Sequence, residues 1–95
     1  MLSIDTIAAQ ELDAYKDRDD VMIIDLRDRE AYEESHFCTA VNIPYEELEI
    51  CRKLPTTKLL VLYCERGSAS LFAARSLMKM GFRVKSVVGG IRCYQ

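Results

Sequence analysis

The sequence has little with which to grip nucleic acid, hold a metal ion or enter a membrane. Its 13 Lys and Arg are outnumbered by 15 Asp and Glu, for a net charge of −2. The basic residues are scattered and form no stripe that could neutralise a phosphate backbone, so nucleic acid is not an expected partner. There is 1 histidine, and the 4 cysteines at positions 38, 51, 64 and 93 contain no Cys-x-x-Cys pair. That spacing argues against a structural metal site. No run approaches the roughly 18 apolar residues of a membrane helix. The opening residues Met1-Leu2-Ser3-Ile4-Asp5 lack both the basic and the apolar region of a secretory leader. The expectation is a cytoplasmic protein whose thiols stay free in a reducing compartment.

What is present suits one α/β domain over residues 1–95, with a core of modest size. Three short apolar runs have strand length: Val21-Met22-Ile23-Ile24, Leu59-Leu60-Val61-Leu62-Tyr63, and Val84 to Val88 with Lys85 and Ser86 inside it. The first two are nearly continuous, the pattern of strands covered on both faces in a parallel sheet. Leu2 to Ile7 and Val41-Asn42-Ile43 are weaker candidates that would bring the sheet to five strands.

Helix-like stretches separate these runs: Ala8 to Asp17, a short one after Asp28, Tyr45 to Leu54, and Ser68 to Met80. The last has the clearest pattern, with Ala73, Ala74, Leu77 and Met78 on one side and Gly81 placed to end it. Pro44 suits the first turn of the third helix, where a missing N–H costs nothing. Pro55-Thr56-Thr57-Lys58 reads as the turn before the central strand. Alternating strands and helices predict an open, mostly parallel five-stranded sheet with helices on both faces. Such sheets place ligands beyond the carboxyl ends of their strands.

One strand end carries a cysteine. In Leu62-Tyr63-Cys64-Glu65-Arg66-Gly67-Ser68-Ala69-Ser70 a buried strand stops and small residues lead into a helix. Consecutive N–H groups in a tight loop converge on one point, and the following helix adds its own orphan N–H groups and positive end. A thiolate at that point is stabilised over its thiol and gains nucleophilic character. Gly67 suits the curvature, and Ser68, Ala69 and Ser70 keep the loop mouth narrow. The local pattern also admits a plainer reading, a small buried residue closing a core strand.

Three features in order resemble the rhodanese family over nearly the whole chain. They are Ile24-Asp25-Leu26-Arg27 with Glu30-Ala31-Tyr32 and Ser35-His36; Ala40-Val41-Asn42-Ile43-Pro44; and Tyr63-Cys64-x-x-Gly67-x-x-Ser70 with Gly89-Gly90-Ile91 much later. The resemblance implies a sulfurtransferase in which Cys64 takes a sulfane sulfur as a persulfide. The donor would be thiosulfate or a similar small molecule, and the acceptor cyanide, a thiol or a partner protein. The amides of Glu65, Arg66, Gly67, Ser68, Ala69 and Ser70 would close the anion-binding loop, with no metal or organic cofactor. Two departures bear on the substrate: Ala69 stands where the family often has arginine or another polar residue, and Ser35-His36-Phe37-Cys38-Thr39-Ala40 replaces a Gly-His-Ile-x-Gly-Ala stretch.

Other residues have supporting parts in this reading. Arg66 either steers an anionic donor or pairs with Glu65 in solvent. Asp25 and Arg27 fit a structural ion pair or loop support better than proton transfer. His36 fits a hydrogen-bonded structural role better than that of a base for Cys64. Cys38, Cys51 and Cys93 read as packing or surface thiols, any of which could resolve Cys64 as a disulfide. A phosphatase or arsenate reductase would need a Cys-x5-Arg loop, but the sixth position after Cys64 is Ser70. A non-catalytic sulfur carrier, redox sensor or interaction module is the remaining alternative.

Overall fold

All three apolar runs become strands. The computed structural model describes residues 4–48 and 53–94. Its strands are β1 (Asp5–Ile7), β2 (Val21–Asp25), β3 (Val41–Asn42), β4 (Leu59–Tyr63) and β5 (Arg83–Val87). They form one sheet in the order β1-β5-β4-β2-β3, and every pairing is parallel. β4 is central, with Leu62 beside Ile24 of β2 on one side and Ser86 of β5 on the other.

Because side chains alternate along a strand, β4 feeds two cores. Leu60 and Leu62 pack with Leu48, Ala73, Ala74 and Leu77 on one face. Val61 and Tyr63 pack with Leu12, Phe37 and Val87 on the other. Burial on both faces is why this strand reads as a continuous apolar run.

The helices are α1 (Leu12–Tyr15), α2 (Arg29–Glu34), α3 (Tyr45–Leu48) and α4 (Ser68–Lys79). α4 ends as its sequence predicts. Gly81 takes φ +97°, its amide reaches Met78 O at 3.0 Å, and the Phe82 amide reaches Leu77 O at 3.1 Å. These are the two reciprocal bonds of a Schellman cap.

The stretch expected as one helix from Ala8 to Asp17 is shorter and broken. It is a 3-10 turn over Ala9–Glu11 followed by the four residues of α1. The third helix is seen only as Tyr45–Leu48, and part of the expected stretch, 49–52, lies outside the described residues. Pro44 stands one position before α3, not within its first turn. Its carbonyl accepts the Glu47 and Leu48 amides at 2.8 and 3.2 Å, the task of an N-cap residue. No helix among the described residues is long and apolar enough to cross a membrane.

Candidate functional site

β4 ends at Tyr63, in the middle of the sheet, and α4 begins at Ser68. Cys64 opens the turn between them. It continues the row of Leu60 and Leu62 on the α4 face, and only 6% of it is exposed. Its Sγ accepts the Gly67 amide at 3.0 Å and the Ser70 amide at 3.4 Å. Gly67 adopts φ +102°, and a Cβ there would stand 2.9 Å from Gly89 N. Glycine is therefore required twice over, by conformation and by space.

The carbonyls of the loop are drawn away from the sulfur. Cys64 O accepts the Ile91 amide at 2.9 Å and Glu65 O accepts the Arg92 amide at 3.3 Å. Gly67 O accepts the Leu71 amide at 3.2 Å and the Ser70 hydroxyl at 3.0 Å. With these acceptors engaged elsewhere, the Gly67 and Ser70 amides are the donors that meet the thiol, an arrangement suited to negative charge. The Gly89-Gly90 turn seals the back of the loop. A Cβ on Gly90 would lie 2.5 Å from Glu65 O and 2.6 Å from Arg66 N.

Two of the amides expected around Cys64 meet its sulfur, those of Gly67 and Ser70. Ser70 is also anchored from beneath. It is fully buried, and its Oγ lies 2.8 Å from the Oγ of Ser86 on β5, itself 1% exposed. Ser86 was not among the expected site residues. Its signal was a hydroxyl inside the apolar run from Val84 to Val88, at a position facing α4.

Asp25 and Arg27 form an ion pair. Asp25 is fully buried at the end of β2. Its carboxylate accepts Arg27 Nε and Nη2, at 2.8 Å for the shorter contact, together with the Arg27 amide and the Tyr63 hydroxyl at 2.7 Å. Arg27 Nη2 also donates to Ser35 O. Hydrogen bonding to Asp25 holds the guanidinium pKa above its ordinary value, and burial pushes the Tyr63 phenol up, helped by the same carboxylate.

A cavity of about 460 Å³ opens over Cys64, and Arg27, Tyr45, Arg66, Ser68 and Ala69 are among its lining residues. Arg66 therefore faces the approach to the sulfur. Glu65 does not pair with it: the carboxylate lies 3.6 Å from Arg27 Nη1 instead. His36 is held elsewhere. Its ring stacks on Tyr32 at 3.8 Å, its Nδ1 donates to Tyr32 O at 2.8 Å, and it lines a neighbouring cavity with Arg92 and Tyr94. Cys38 and Cys93 are exposed free thiols, whereas Cys51 lies outside the described residues. Among the described residues no group of three or more His, Cys, Asp or Glu is arranged to hold a metal ion.

The sequence matches the Rhodanese-like domain family over residues 8–95. It is 33% identical over 78 residues to a thiosulfate sulfurtransferase, GlpE, of Coxiella burnetii, covering 80% of this chain and 73% of that protein. It is 36% identical over 87 residues to the putative sulfur carrier protein YrkF of Bacillus subtilis, covering 85% of this chain and 47% of that one. The fold superposes with TM-score 0.88 on reduced CoADR-RHD of Bacillus anthracis, at 30% identity, covering 96% of this chain and 16% of that chain.

Proposed function

Because the chain belongs to the rhodanese-like domain family, we propose that it moves sulfane sulfur from a donor such as thiosulfate to a thiophilic acceptor through a persulfide on Cys64. The observation that carries this reading is the pair of amides on Sγ, at 3.0 and 3.4 Å, beneath an open cavity. The thiolate attacks the outer sulfur of the donor, forming a new S–S bond as the bond inside the donor breaks. Thiosulfate then leaves as sulfite, and charge balances without any external oxidant or reductant. A nucleophile such as cyanide or a thiolate next attacks the outer sulfur of Cys64 and restores the thiolate.

The persulfide bond projects its terminal sulfur about 2 Å beyond Sγ, into the mouth of the amide loop. Preorganised donors there stabilise the anion and shield it from water. Cys64, Gly67 and Ser70 form the working centre, Glu65, Arg66, Ser68 and Ala69 its rim, and Asp25 and Arg27 its support. His36 takes no part in the transfer. Donor and acceptor can both be small molecules, or one of them a partner protein.

The resemblance to a putative sulfur carrier favours a second form of the same chemistry, in which delivery to a partner replaces turnover on small molecules. Phosphoryl transfer is disfavoured because Ser70, at the position where such loops place arginine, is fully buried against Ser86. The test is a thiosulfate:cyanide assay at saturating donor. Cys64→Ser should fall to background while keeping the stability of the wild type, and Cys38→Ser, Cys51→Ser and Cys93→Ser should retain most of the rate. Full activity in Cys64→Ser would overturn the assignment.

A further inference from the structure

The rim of the cavity over Cys64 is acidic. Asp28, Glu46 and Glu65 line it against two guanidinium groups, those of Arg27 and Arg66. Arg27 has little charge left for a ligand, since the buried Asp25 carboxylate takes two of its nitrogens and Glu65 stands 3.6 Å from a third. Asp28 caps α2 through the Ala31 amide, and Glu46 sits in the first turn of α3, so helix ends answer part of their charge. Glu65 has no such partner. Its side chain is 53% exposed and its ion pair is the long contact to an arginine already neutralised. An approaching group therefore meets one exposed guanidinium, Arg66, among a majority of carboxylates.

Apolar surface begins at the same rim. Ser68 and Ala69 line the cavity, and Phe72, one turn further along α4 on the same stripe, is 63% exposed. Met80, two turns beyond Phe72, is 66% exposed. Neither Phe72 nor Met80 lines the cavity that a small oxyanion would fill, whereas a peptide extending from it along α4 would lie across them.

Granting the persulfide chemistry on Cys64 proposed above, we infer that the entrance selects donors by charge. It disfavours small dianions such as thiosulfate and favours a cysteine persulfide borne on a protein or peptide segment with lysine or arginine beside it. The step balances as before: Cys64 thiolate attacks the outer sulfur of the persulfide, the S–S bond of the donor breaks, and the donor cysteine leaves as a thiol carrying the proton. Lysines next to that cysteine would pair with Glu65 and Glu46, and an apolar neighbour would cover Phe72.

The experiment compares two synthetic peptides that differ only in lysines or glutamates flanking a persulfidated cysteine, with the initial rate of sulfur arrival on Cys64 read by mass spectrometry. At low salt the lysine peptide should react about tenfold faster, and the gap should close as ionic strength rises. Glu65→Gln and Glu46→Gln should each narrow the gap and lower the half-saturating thiosulfate concentration by about threefold. Phe72→Ala should slow the peptide donor and leave thiosulfate unaffected. Equal rates for the two peptides at low salt, or a lysine preference undiminished in the double Glu→Gln variant, would overturn charge selection and leave Cys64 a sulfur carrier. Absence of sulfur on Cys64 from every donor would overturn the persulfide reading as well.

Discussion

Arg27 and Tyr63 share one buried carboxylate beside the Cys64 loop. Removing the guanidinium leaves Asp25 buried with the Tyr63 hydroxyl and one backbone amide as donors. Breaking a buried pair from one side costs about 3–5 kcal/mol. Arg27→Met should therefore lower the unfolding free energy by about 3 kcal/mol in urea titrations, and a change within experimental error would show that the pair is not structural. Tyr63 gives a pH test. Burial, and then its bond to Asp25, raise the folded-state pKa, so the neutral phenol is favoured in the native protein. Its contribution to stability is complete below the unfolded tyrosine value, about 10, and is lost as pH rises through the higher folded value. In an ultraviolet titration of the 5 tyrosines, the wild type minus Tyr63→Phe difference should show a late ionisation coincident with unfolding. A difference titrating near pH 10 in still-folded protein would contradict this. The Asp25–Arg27 pair was legible in the sequence because both charges follow an apolar strand. The parts played by the Tyr63 hydroxyl and Ser86 were not, because apolar neighbours make each look like an ordinary strand residue, and their polar partners lie 38 and 16 residues away.

Two glycines separate conformational demands from spatial ones at the scale of elements. Gly81 ends α4 with φ +97° and has nothing within 4 Å of where a Cβ would stand. Gly81→Ala should cost about 1 kcal/mol through its left-handed backbone alone, while sulfur transfer below the melting temperature stays unchanged. Gly90 has φ +73°, and its added methyl would meet the backbone of Cys64, Glu65 and Arg66 within 2.6 Å. Gly90→Ala should destabilise more than Gly81→Ala and also lower the rate of sulfur transfer, because the loop must shift to make room. Equal effects of the two changes on rate would show that the Gly89-Gly90 turn does not set the loop. β2, β4, β5 and α4 were legible because each owes its pattern to local periodicity and burial. The stretch from Ala8 to Asp17 was not, since its short turns are set by contacts that periodicity does not encode, such as Gln10 Nε2 donating to Cys93 O at 2.7 Å. The same holds for the backing of the Cys64 loop by Ile91 and Arg92, whose amides reach it from the far end of the chain.

The whole molecule places its one buried cysteine among the described free thiols at the carboxyl end of the central strand. Parallel strands bring every β-to-α turn to the same edge, so the Cys64 loop, the exit of β2 at Asp25 and the start of α3 converge there. The alternation of strands and helices made that convergence legible from the sequence. The charge of the rim was not, because Asp28, Glu46 and Glu65 meet only in the fold. At this length roughly two thirds of the chain's surface is buried on folding, so the loop depends on a modest core and on backbone bonds from distant segments. Everything proposed for this site rests on a covalent Cys64 persulfide. Intact-protein mass spectrometry after incubation with excess thiosulfate, with and without cyanide, reads that intermediate directly. The wild type should gain the mass of one sulfur atom, lose it to cyanide, and show no gain in Cys64→Ser. An adduct that persists in Cys64→Ser, or none on the wild type with thiosulfate or any persulfide donor, would contradict the account.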